Sequence, residues 1–171
     1  MNGWDNPGYV LALIISNIIA LVIYYFARKI PRLARLLFFF LFAWAAFTNW
    51  NMAMNRPQEY LSFADLAFLG IYKNFINGWF SQHAALLIAA IALGQLLIAL
   101  SMLWKGWVFK LGTIGGIIFL VAIIPLGVGS GFPFPIITAM AFYLLYRQKN
   151  VDVLWKGPKS ELTAPHQRRW E

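Results

Sequence analysis

His83 is the single histidine in the apolar part of this chain, and it directly follows Gln82. Glu59, Asp65 and Lys73 precede it within a short span. A carboxylate at Glu59 or Asp65 brought next to an imidazole is a pair that can pass protons. A metal site needs more ligands than this, because there is no HExxH and His166 lies far away in the C-terminal tail. Haem held by two histidines is excluded on the same count, which leaves His83 at most as a lone axial ligand to haem or a chlorin. The chain has no cysteine, so disulfides, thiolate catalysis, iron–sulfur clusters and cysteine-bound zinc are excluded. No nucleophile elbow, phosphate loop or nucleotide fingerprint is present, and Ser62, Ser81, Ser101 and Ser130 stand in no catalytic pattern.

Two amides complete the set of chemically capable groups. Asn17, beside Ser16, and Gln95 each sit in the middle of a long apolar run. An amide in hydrocarbon without a partner is expensive, so both side chains are expected to face protein. They either bond to each other or to a nearby carbonyl, or they line a polar spot in a ligand cavity. The ligand-binding candidates are thus Asn17, Gln95, His83, Glu59 and Asp65, with no catalytic residue and no metal ligand assigned. A hydrophobic molecule such as a quinone, lipid or pigment is the class of ligand these residues suit; no cofactor is evident from a motif.

The elements that must position these groups follow from composition. Of 171 residues, 61% are hydrophobic and 12% charged, far below the roughly one quarter charged residues of a soluble domain. The charge-free blocks reach the ~20 residues a helix needs to cross a bilayer. The sequence therefore predicts an all-α, polytopic transmembrane helical bundle with about five crossings, over residues 9–27, 35–54, 81–104, 107–125 and 135–148. The first apolar block lacks a positive flank and a small-residue cleavage site, and reads as a retained helix. Residues 57–80 are predicted to form one amphipathic interfacial helix. Gln58, Ser62 and Asp65 make a polar stripe on it, and Leu61, Ala64 and Phe68 an apolar one. Residues 150–171 form a polar basic tail, with Trp155 and its basic residues available to anionic headgroups.

Five crossings put twelve of the 14 basic residues on one side, leaving Arg56 and Lys73 on the other. The positive-inside bias then makes the tail cytoplasmic and the N-terminus extracytoplasmic. A net charge of +8 arises from residues flanking apolar blocks, a distribution that argues against nucleic acid. The charge-free run Leu111–Tyr146, 36 residues long, would be ~54 Å as one helix. Its prolines and glycines between Pro125 and Pro135 break it into two crossings. The connection is either a tight outer hairpin or a turn that dips into the membrane.

Gly112 and Gly116 form a small-residue face, as do Ala85 with Ala89 and Ala90 with Gly94. Such faces let helices approach closely in lipid, either within the chain or against a homo-oligomer or a partner membrane protein.

From Arg56 to Arg147 the order of features resembles the DoxX-like membrane proteins. The resemblance rests on ALGQLLIALSMLWKGWVFKLGTIGGIIFLVAIIPLG, Ala92 to Gly127. The resemblance implies a compact four-helix bundle with a Gly-rich helix pair, and kinship to proteins linked to quinone-coupled sulfur oxidation or membrane oxidoreductase complexes. Gln95 stands where that family often carries Glu, and the N-terminal helix is additional. Two functions are expected in turn: a scaffold or accessory subunit of a membrane complex, or a binder of a hydrophobic ligand. A small transporter is the least favoured, since neither an inverted repeat nor charge inside the helices is present.

Overall fold

The computed structural model of the chain describes residues 7–148 and 151–155. It is an all-α bundle. With no water to satisfy backbone amides in hydrocarbon, long apolar segments must close their hydrogen bonds internally, as helices. Five helices carry the bundle: α1 (Pro7–Lys29), α2 (Pro31–Asn55), α5 (Ala84–Leu103), α6 (Gly106–Ile123) and α7 (Phe134–Tyr146). Two short helices, α3 (Phe63–Leu66) and α4 (Gly70–Phe75), lie between α2 and α5. Four helical segments, those beginning at Pro7, Pro31, Ala84 and Gly106, are long and apolar enough to cross a membrane.

Proline and glycine set the boundaries. Pro31 opens α2, at the position where a missing amide costs nothing, and Arg56 before Pro57 takes a non-helical conformation that ends it. Gly106, with φ of 62°, lets the chain reverse from α5 into α6.

The helices close in the order α1, α2, α5, α6, α7, with α7 returning to α1. Their shared core is aromatic. Phe38 of α2 stacks on Phe142 of α7 at 3.8 Å between ring centroids, and Phe42 meets Phe119 and Phe142 edge-on. Lipid is as apolar as these side chains, so it is the close packing of rings, rather than transfer from water, that favours this association. Gly112 and Gly116 are what let α6 come near. A Cβ at Gly112 would fall on Ser101 of α5, and one at Gly116 would lie 2.6 Å from the ring of Phe142. The other small-residue faces make no such approach: Ala85 and Ala90 are exposed, Ala89 is half-buried and Gly94 has open space beside it.

Residues 57–80, which lie at the end of the bundle away from the basic loops and are called the outer segment below, depart from the expected single amphipathic helix. This segment is broken into a 3-10 turn (Pro57–Ser62), α3, α4 and a π-turn (Ile76–Phe80), with extended backbone at Ala67 and Leu69. The reason lies in the proline-rich turn beneath it. Residues Ile124–Ser130 form a 3-10 turn, and the outer segment leaves helical geometry so that the Phe68 amide donates to the Pro125 carbonyl at 3.1 Å. Gln58, Ser62 and Asp65 are exposed as their stripe requires, while Ala64 is buried. Phe68 of the apolar stripe is exposed.

Candidate functional site

The turn between α6 and α7 is the first unusual feature of the bundle. α7 has 13 residues, ~20 Å at 1.5 Å per residue, too short alone for ~30 Å of hydrocarbon. The turn makes up the difference by reaching down beside α1. Asn17 Nδ2 donates to the Gly131 carbonyl at 2.9 Å and to the Leu13 carbonyl at 2.8 Å. Asn17 lies ~15 Å along α1 from its start, so the turn sits about halfway along that helix. Gly127 and Gly131 have φ of 58° and 73°, a conformation in which a side chain would be strained. Both are also crowded. A Cβ at Gly127 would lie 2.9 Å from the Leu66 carbonyl oxygen, and one at Gly131 2.8 Å from Ser16 Oγ.

Irregular backbone at this depth needs a cover, and the outer segment supplies it. Tyr72 donates its phenol to the Ala122 carbonyl at 2.7 Å, the Phe68 amide holds Pro125, and the Phe63 ring lies over Gly129. Leu126 and Phe63 fill the space below, packed against Ala64, Ile76, Phe80, Ala84 and Ile88. Asn17 Oδ1 is buried and has no hydrogen-bond partner among the described residues.

Gln95 belongs to a different locus. It does not meet Asn17. Its Oε1 accepts from Asn49 Nδ2 of α2 at 2.7 Å, and Asn49 Oδ1 in turn accepts from the Tyr60 phenol. The chain Tyr60–Asn49–Gln95 therefore runs from the outer segment to the middle of α5. Gln95 is only 4% exposed, yet among the described residues nothing accepts from its Nε2. Burial pushes the Tyr60 phenol up to about 12, because the phenolate cannot be solvated there. Its folded value is raised above the ordinary ~10, so the unfolded chain loses this proton first. Stability is independent of this group below pH 10 and falls as pH rises from about 10 through about 12. The wild-type minus Tyr60→Phe difference in unfolding free energy, measured against pH, isolates this slope. Removing the phenol also costs about 1 kcal/mol at neutral pH through the lost hydrogen bond.

The titratable candidates are dispersed. Glu59 pairs with Arg56 at 3.1 Å, both well exposed. Asp65 is exposed. His83 Nδ1 lies 3.0 Å from the Trp79 carbonyl, with its ring stacked on Trp79. Neither carboxylate contacts the imidazole, so the anticipated proton-passing pair is not formed. Among the described residues no three His, Asp or Glu side chains come together.

Arg35 forms the best-built polar site, at the opposite end. It is 4% exposed. Its Nε donates to the Met102 carbonyl at 2.9 Å, Nη1 to the Asp152 carbonyl at 2.7 Å and Nη2 to the Trp104 carbonyl at 2.5 Å. The guanidinium carbon sits 4.7 Å from the centroid of the Phe109 ring, within cation–π range. The last carbonyls of α5 have no partner within the helix, and they are met one by one. Ser101 O accepts from the Trp104 amide, Leu103 O from the Leu154 amide, and Met102 and Trp104 O from Arg35. A cation at this end also suits the negative pole of the helix.

Comparison of the chain with protein-family models, curated proteins and solved structures finds no match. The function therefore rests on the residues themselves.

Arg35 was hidden in the sequence among loop arginines. The available signal was Pro31: a helix opening there places Arg35 one turn inside α2, where a charge must find partners. Residues 151–155, assigned to the tail, instead join the bundle end through Arg32, Arg35 and Leu103. The rest of the tail lies outside the described residues.

Proposed function

We propose that this protein is a small accessory or scaffold subunit of a membrane complex, held to a partner membrane protein through the aromatic face of α2. Phe40, Trp44 and Phe47, at i, i+4 and i+7, are 59%, 67% and 71% exposed. Trp44 carries the reading. It lies ~20 Å from the start of α2 and ~17 Å from its end, far from the headgroup belt where tryptophan is favoured. Among the described residues nothing accepts from its indole N–H. In hydrocarbon that donor stays unsatisfied unless a neighbouring chain offers an acceptor. The basic end, with Arg28, Lys29, Arg32, Arg35, Lys105 and Arg147, is assigned to the cytoplasm by the positive-inside rule. The N-terminus is then extracytoplasmic, as in a bacterial inner membrane.

A photo-crosslinking residue at position 44, compared with one at Leu111 on exposed α6, tests this in the native membrane. The expected result is one discrete protein adduct from position 44 and none from position 111; an adduct with a second copy would make the partner a homo-oligomer. A monomer in mild detergent, with no adduct from position 44, contradicts the proposal.

A second reading has support from Gln95. The Gln95 amide donor, without an acceptor among the described residues, suits a carbonyl-bearing hydrophobic ligand such as a quinone, lipid or pigment. The DoxX-like resemblance points the same way, toward an oxidoreductase-associated subunit. Organic extraction of purified protein followed by mass spectrometry supports this reading if a stoichiometric compound is lost in Gln95→Leu, and an empty extract removes it.

A further inference from the structure

We infer that the groove at the basic end of the bundle binds one anionic phospholipid, with its phosphate on Arg32 and an acyl chain along Leu33, Leu36 and Leu103. The groove is a shallow, open one of about 510 Å³, and its lining is apolar apart from Arg32. One wall is the first turns of α2. The other is formed by Leu103 of α5 with Leu154 and Trp155 of the returning segment.

This second wall is fixed in place. Arg35 holds the Asp152 carbonyl, the Leu154 amide donates to Leu103, and Arg32 Nε donates to the Leu154 carbonyl at 3.0 Å. Arg32 Nη2 also donates to that carbonyl. Its Nη1 has no acceptor among the described residues and remains available to an anion. Trp155 packs edge-on against Trp104 at 5.2 Å, an aromatic pair of the kind found at headgroup depth.

Charge selects the occupant. Arg28, Lys29, Arg32 and Lys105 are all exposed at this end, and Asp152 is the one carboxylate there among the described residues. The chain beyond Trp155 carries Lys156, Lys159, Arg168 and Arg169 against Glu161 and Glu171, so its own tail has the sign of the groove and is not its complement. A molecule with a phosphate and a long apolar chain satisfies both the arginine and the leucines, and basic pockets beside transmembrane helices are suited to such lipids. The site is separate from the α2 aromatic face and does not depend on the subunit reading.

The test uses the full chain in mild detergent, titrated with phosphatidylglycerol or phosphatidylcholine and read by native mass spectrometry. One phosphatidylglycerol should be retained in preference to phosphatidylcholine. Arg32→Gln should weaken it about fivefold or more, and Leu36→Trp, which fills the groove, should displace it. Arg147→Gln removes the same charge at the end of α7, from a residue that does not line the groove, and should leave retention unchanged. Should Leu36→Trp fail to fold, Arg32→Gln against Arg147→Gln still decides. Equal retention of the two lipids, equal loss in the two arginine variants, or full competition by glycerophosphate without acyl chains would each overturn the inference. The last would show a free-anion site in place of a lipid site.

Discussion

Replacing Arg35 by Met should destabilise the protein by about 3 kcal/mol or more, read as unfolding in mixed micelles, because three carbonyls lose charge-assisted donors at once. The methionine retains much of the packing volume but cannot donate. Residues 151–155 should become open to protease in the variant, since the contact at Asp152 holds them to α2. Arg35→Lys should recover only a minor part. An ammonium is a compact point charge and cannot reach carbonyls on α5 and on the returning segment while lying over Phe109. If the methionine variant matched wild type in both readouts, the capping role would be wrong.

Gly116→Val is the second substitution with a large expected effect. Its Cβ would lie 2.6 Å and 2.7 Å from two carbons of the Phe142 ring. That ring cannot swing away, because it is fully buried, stacked on Phe38 and flanked by Phe42. The expected cost is about 3 kcal/mol, at the upper end for overpacking. Gly94→Val is the matched control: nothing lies within 4 Å of its added Cβ, and its unfolding should match wild type within about 0.5 kcal/mol. Pairing Gly116→Val with Phe142→Leu should restore part of the loss, since the ring carbons that clash are removed. A Gly116 variant as stable as the Gly94 variant would mean that α6 and α7 are not packed as described.

The large-scale organisation could be read from the chain because lipid imposes a simple rule. Charge-free stretches such as residues 9–27 and 84–103 have one stable backbone conformation in hydrocarbon, and proline at 31 and 57 marks where α2 begins and ends. What was not legible depends on contacts between distant segments. The stripe through Gln58, Ser62 and Asp65 suggests a continuous helix, yet the unsatisfied carbonyl of Pro125 draws the Phe68 amide out of it. Local periodicity carries no information about a partner some sixty residues away. Asn17 and Gln95 both needed bonding partners, and the sequence could say so, but not that one would hold the α6–α7 turn and the other Asn49. The five candidate ligand residues do not converge. Asn17 belongs to the turn, Gln95 to the Tyr60 chain, and Glu59, Asp65 and His83 to the outer surface. Arg35 was missed because a basic residue between apolar blocks looks like a topology marker, and only its depth in α2 reveals it as a cap.

In this fold α5 separates the outer segment from a basic end which the α6–α7 pair leaves and re-enters. The chain has no cysteine of its own, so single cysteines at Asp65, Lys105 and Trp155 can be probed with a membrane-impermeant maleimide in intact cells. Labelling is expected at 65 without permeabilisation, and at 105 and 155 only after it. Labelling of 65 and 105 from the same face, or of 105 and 155 from opposite faces, would contradict this arrangement.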